Sequence, residues 1–199
     1  MEQISTLVKS GFKKKKFPYF ALKKAVGKKI VVVGSSGCGK TTFARRLSQV
    51  TNIPHYEIDS MFWKPDWVMT KDDEFRSLVD NVTKHNEWIM DGNYRKVQDL
   101  TIGRADTVIW LNYTFLKVLH QVTFRTAERL ISKEPLWHNN KESLKMALSK
   151  DSIILYTITH YKSKKRWYNK LIRHSDCKGI NWIQIKNTKD EQKFFNSFK

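Results

Sequence analysis

Residues 31–42 read "VVVGSSGCGKTT". An apolar, β-branched run from Val31 to Val33 stops at Gly34, small residues follow, and Gly39-Lys40-Thr41 closes the stretch. Gly34, four residues, then Gly-Lys-Thr fit G-x-x-x-x-G-K-[ST], the phosphate-binding loop. Glycines let successive backbone N–H groups turn toward one anion, and a helix N-terminus behind them adds a positive dipole end. The candidate nucleotide-binding residues are therefore Gly34, Ser35, Ser36, Gly37, Cys38, Gly39, Lys40, Thr41 and Thr42. Lys40 is expected to reach the β- and γ-phosphates of ATP, and the Thr41 hydroxyl to ligate Mg²⁺.

The flanks supply the context such a loop needs. Lys29-Ile30-Val31-Val32-Val33 reads as a buried parallel strand. After the loop, Phe43, Ala44 and Leu47 share one helical face, so a helix is predicted from about Lys40. Further on, His55 to Ile58 predicts a second strand ending at Asp59, and Thr70 to Asp73 a helix opened by a capping box. That helix carries Phe75, Leu78, Val79 and Val82 at helical spacing. Trp88-Ile89-Met90 and Thr107 to Leu111 predict two more strands. Helices are expected over about 114–131 and over 141–172, broken near Pro135 to Asn139, before a last strand at Ile180 to Ile185 and a short helix. Strands alternating with helices predict an α/β fold, a doubly wound parallel sheet with ligands at the strands' C-terminal ends.

At 199 residues the chain can bury a core of ordinary domain size. No apolar run approaches the roughly 18 residues of a membrane span, and no signal-type apolar segment opens the chain. The only cysteines, Cys38 and Cys177, have no metal-type spacing, which predicts a reduced, cytoplasmic setting. The loop's dipole could lower the Cys38 pKa, but the residue is given no chemical role. The formal net charge is +18. Nine lysines stand against Glu2 alone in the first 29 residues, and Lys162, Lys164, Lys165 and Arg166 form a second cluster. Such clusters suit nucleic acid, anionic lipid or a phosphate-rich substrate, yet charge runs are most often solvated surface. Residues 1–27 read as a basic extension, and 28–199 as the folded unit.

Two carboxylates fall where such a sheet meets its ligand. Asp59 is expected at the end of the second strand and Asp91 at the end of the third. Phosphoryl transfer needs a carboxylate near Mg²⁺ and another group to orient or deprotonate the acceptor. Either residue could equally shape a turn, Asp91 above all because Gly92 follows it. Phe62, Trp63 and Trp67 crowd "DSMFWKPDW"; core packing is the ordinary explanation, an aromatic wall beside the acceptor the sharper one. Cations over the migrating group are also required. Arg95, Arg104, Arg125 and Arg129 follow successive strand ends, the last two at i and i+4.

The phosphate loop together with "YEIDSMFWKPDW", "WIMDGNY" and "RADTVIWL" resembles the small P-loop proteins called DNA topology modulation proteins, among the adenylate-kinase-like and shikimate-kinase-like kinases. The resemblance covers roughly Lys29 to Lys186 and implies the sheet order 2-3-1-4-5. Asp91-Gly92-Asn93-Tyr94-Arg95 matches the spacing of the adenylate kinase Asp-Gly-x-x-Arg signature. This implies Asp91 at the Mg²⁺ site and Arg95 on the acceptor. Asp59 matches the aspartate by which shikimate-type kinases contact the substrate hydroxyl. "LNYTFLKVLHQVTFRTAER" is similar to the helix leading into the kinase lid, implying that Arg125 and Arg129 clamp ATP phosphates. The chain departs from adenylate kinases in having Tyr94 where the signature has proline. It has Trp63 and Lys64 where an arginine meets AMP, and a lid segment, "KEPLWHNNKESL", without zinc cysteines.

The reading is a Mg-ATP-dependent kinase acting on a small molecule or nucleotide. Its catalytic candidates are Lys40, Asp59, Asp91, Arg95, Arg125 and Arg129, and its metal ligands Thr41 and Asp91. The alternative is a nucleic-acid-associated ATP-binding regulator acting through the basic tail and the KSKKR cluster. A toxin-like or RNA-modifying enzyme is a third option with no motif of its own.

Overall fold

The computed structural model describes residues 26–92, 94–150, 152–173 and 179–198. Almost all of the basic extension expected at 1–27, together with Cys177, lies outside the described residues. Strand β1 (Lys29–Gly34) runs into the phosphate loop, and helix α1 (Lys40–Thr51) leaves it. Then follow β2 (His55–Glu57), α2 (Ile58–Phe62), α3 (Asp72–Thr83) and β3 (Trp88–Asp91). Next come α4 (Gln98–Thr101), β4 (Thr107–Leu111), α5 (Phe115–Ser132) and α6 (Leu144–Ala147). Finally α7 (Ile153–Arg173), β5 (Asn181–Ile185) and α8 (Thr188–Asn196) complete the order.

The sheet is five-stranded, with order β2-β3-β1-β4-β5, and every pairing is parallel. β1 lies at its centre because its residues are buried on both faces, as a β-branched run allows. Ile30 and Val32 pack on one side with Phe43, Leu47 and Phe194. Val31 and Val33 pack on the other with Phe75, Val79, Trp88 and Tyr168. This alternation fixes the register. Val32 pairs with Asp91 of β3, and Glu57 of β2 pairs with the same residue. The strand ends thus deliver Glu57 and Asp91 beside the phosphate loop.

Four sequence expectations are corrected. The second strand is shorter than expected: Ile58 and Asp59 begin α2 instead of ending β2. The capping box at 70–73 does not form. Lys71 is the cap residue and makes no side-chain cap bond, while buried Thr70 spends its hydroxyl on the Met61 carbonyl. Asp72, Asp73 and Glu74 in the first turn of α3 complement the helix dipole instead. Leu78, expected on the apolar face of this helix, is exposed. The helix expected over 141–172 is two helices, α6 and α7. Ser152 starts α7 afresh, its hydroxyl accepting from the Leu155 N–H.

Candidate active site

The phosphate loop is shaped by close approaches. Gly37 has φ +75°, and a Cβ there would stand 2.5 Å from the Val122 side chain of α5, so only glycine fits. Gly39 has φ +88°, and a Cβ there would meet nothing within 4 Å. The loop is therefore packed against α5 on one side and open on the other. The Lys40 ammonium is held by the Ser35 carbonyl at 3.1 Å. Buried Cys38 faces inward. Burial pushes its thiol up, against the pull of Lys40 and Lys164, so the lowering expected from the loop's dipole does not prevail.

At the loop's edge the Thr41 hydroxyl donates to Asp91 Oδ2 at 2.5 Å, and His55 Nε2 lies 3.2 Å from Asp91 Oδ1. Asp91 is only 4% exposed. Mg²⁺ in triphosphate sites takes one or two protein groups and fills its octahedron with phosphate oxygens and water. Thr41 lines the cleft, while Asp91 lies behind it and is not among the lining residues; a hydroxyl and a carboxylate side by side still fit that donor set.

Loop, α2, α5 and α7 enclose a cleft of about 2040 Å³. Lys40, Thr41, Asp59, Arg95, Arg125 and Arg129 all line it. Arg125 is half-buried, and among the described residues its Nε has no hydrogen-bond partner. Burial and the neighbouring Arg129 draw its pKa below the usual arginine value. Arg129 donates to Glu142 at 2.9 Å. Arg95 stands exposed with its guanidinium 5.6 Å from the Trp167 ring centroid. Arg104 is not among the lining residues; it bridges to Asp80 at 2.8 Å and donates to Thr83.

Asp59 projects from the first turn of α2. The Tyr94 hydroxyl donates to its Oδ1 at 2.6 Å. Burial pushes the Asp59 carboxyl above the usual range, while the Tyr94 hydrogen bond and the Lys40 charge pull it back. The aromatic residues after it both pack on one another and face the cleft. Phe62 packs edge-on to Phe75 at 5.2 Å, and Trp63 to Trp67 at 5.5 Å, yet Phe62, Trp63 and Trp67 also line the cleft.

This strand order, with a phosphate loop between the central strand and its helix, decides the architecture. The fold is that of the P-loop kinases. A family model described as an AAA domain matches residues 30–110, which is less than half of the P-loop kinase fold seen here. No curated protein matches the chain. Among solved structures, a shikimate kinase from Acinetobacter baumannii in complex with shikimate is similar, with 14% identity and a TM-score of 0.55; the match covers 85% of this chain and 90% of that one. A shikimate kinase from Bacteroides thetaiotaomicron aligns with 10% identity and TM-score 0.51 over 85% and 93% of the two chains. A gluconokinase from Sinorhizobium meliloti aligns with 12% identity and TM-score 0.50 over 86% and 89%. At such identities the shared property is the P-loop kinase fold itself. Among the described residues, no helix is long and apolar enough to cross a membrane.

Sequence reasoning missed Lys164. Read as part of a basic surface cluster, it turns into the cleft from α7, 3.4 Å from the Ser36 hydroxyl. Burial, then the Lys40 charge, brings its pKa down to about 8. A signal was present in the chain: Thr157, Tyr161, Lys164 and Tyr168 follow one another at spacings of four, three and four, which puts Lys164 on the face of α7 whose Thr157, Tyr161 and Tyr168 are buried. His55, beside Asp91, was likewise passed over.

Proposed function

We propose that the chain is a Mg-ATP-dependent kinase of a small-molecule or nucleotide acceptor, with residues 28–199 as the kinase unit. The observation that carries this reading is that Asp59 opens into the same cleft as Lys40 and Thr41. The backbone amides of Gly34 to Thr42 and the Lys40 ammonium would hold the triphosphate. Thr41 and Asp91 would hold Mg²⁺, and bound Mg-ATP supplies the electrophilic phosphoryl group. Arg125 and Arg129, with Lys164, offset charge where the phosphoryl group moves, at little reorganisation cost because they are already in place. Arg95, on the rim, would grip the acceptor. Asp59 would orient an acceptor hydroxyl and take its proton. The further likeness of "YEIDSMFWKPDW" and "WIMDGNY" to DNA topology modulation proteins belongs to this reading and implies no other chemistry.

The test is an acceptor panel of nucleosides, nucleoside monophosphates and sugars, followed by ADP release. Turnover should appear with one class and vanish in Asp59→Asn, while ATP affinity stays as in the parent. An Asp59→Asn protein with full acceptor-dependent turnover would return Asp59 to a structural role.

A further inference from the structure

Asp59 is held by a block of aromatic residues, not by solvent. Its partner Tyr94 has a ring fixed from two sides, 4.6 Å from the Phe62 centroid and 5.3 Å from that of Phe75. Phe62 belongs to α2, as does Asp59 itself, and Phe75 belongs to α3. The Tyr94 hydroxyl points its proton at Asp59 Oδ1, 2.6 Å away. Among the described residues, Asp59 Oδ2 has no hydrogen-bond partner. From the geometry we infer that Tyr94 is a positioning residue for Asp59: its hydroxyl ties one carboxylate oxygen in place and leaves the other for the acceptor. The inference rests on the kinase reading of Asp59 given above.

Two effects follow from one hydrogen bond. The first is orientation, since a carboxylate tethered at one oxygen presents the other in a fixed direction. The second is charge. A base must be ionised to take a proton, and burial in the cleft opposes ionisation. The groups facing Asp59 come from every side: Lys40 from the loop, Asp91 from β3, Glu57 from β2, Arg125 from α5 and Lys164 from α7. Tyr94 is the neighbour in direct hydrogen-bond contact. It stabilises the ionised form, so its loss leaves burial less opposed and shifts Asp59 protonation to higher pH.

Tyr94→Phe removes the hydroxyl and keeps the ring against Phe62 and Phe75. On the full chain, carbon-13 NMR titration of the side-chain carboxyls, with Asp59 identified by its absence in Asp59→Asn, should show a higher midpoint in Tyr94→Phe. Acceptor-dependent kcat should fall about tenfold, with its acid limb moved up in pH and ATP affinity unchanged. An Asp59 midpoint that does not move overturns the inference. So does a Tyr94→Phe enzyme with the parent's pH profile beside a dead Asp59→Asn. If Asp59→Asn turns over as the parent does, the kinase reading of Asp59 fails, and the positioning role fails with it.

Discussion

Lys40 and Lys164 are two cations at one loop with different surroundings. Lys40 is held by the Ser35 carbonyl, and its half-buried side chain lines the cleft. Replacing Lys40 by Ala should therefore remove ATP affinity while shifting unfolding stability by no more than about 0.5 kcal/mol. Calorimetric titration and a denaturant melt on the same sample check both halves. Lys164 differs because its pKa is lowered to about 8. The charged form attracts phosphate, and it is full below that value and lost above it. ATP affinity should hold steady between pH 6.5 and 7.5 and then weaken as pH climbs past 8, with a proton taken up on binding. Lys164→Met should be weaker below pH 8 and flat over the whole range, so that the two curves converge as pH climbs past 8. A parent protein with no such falling limb would show that Lys164 does not meet the nucleotide.

At the scale of elements, the loop after α2 and the segment after α5 are stitched together by hydrogen bonds. Asn140, 4% exposed, accepts from the Trp67 N–H and donates to the Lys64 carbonyl, both at 2.9 Å. The Trp137 indole donates to Glu57 at 2.7 Å, and the Trp67 indole to the Lys141 carbonyl at 3.2 Å. Asn140→Ala strips two backbone groups of their partners and should cost about 1–3 kcal/mol. A drop in Tm, with faster amide exchange at 136–141, is the expected outcome. This stitching was illegible in the sequence, because it pairs residues more than seventy positions apart through side-chain amides and indoles that carry no periodic signal. The phosphate loop and its flanks were legible for the opposite reason. A β-branched run, glycines at fixed spacing and Phe43, Ala44 and Leu47 on one face are all local constraints, and β1, the loop and α1 follow from them. The sequence marks Asp59 but places it at a strand end, since three residues of β2 are too few for alternation to mark where pairing stops. Thr70 read as a cap because its sequence neighbours fit, and a tertiary bond to Met61 claimed its hydroxyl.

For the whole molecule, the charge of +18 is spread unevenly between the basic extension and the folded unit. If the extension is an appendage, a protein lacking residues 1–25 should bind ATP as the full chain does and keep its turnover. Duplex DNA should be held weakly by the intact chain, with an affinity that falls steeply in salt, and the truncated chain should lose most of that slope. Loss of turnover on truncation would show the extension to be part of the kinase unit. The cleft also gives the molecule an optical signature. Of seven tryptophans, Trp63, Trp67, Trp137 and Trp167 line it, whereas Trp88 and Trp110 are sealed in the core. Indoles that touch the ligand space exchange water for ligand when it fills, and the sealed pair does not. The protein therefore carries its own fluorophores at the place where occupancy changes. Acceptors can be titrated by quenching of intrinsic emission without any label, and iodide should quench the same four indoles in the empty protein and spare them in the filled one.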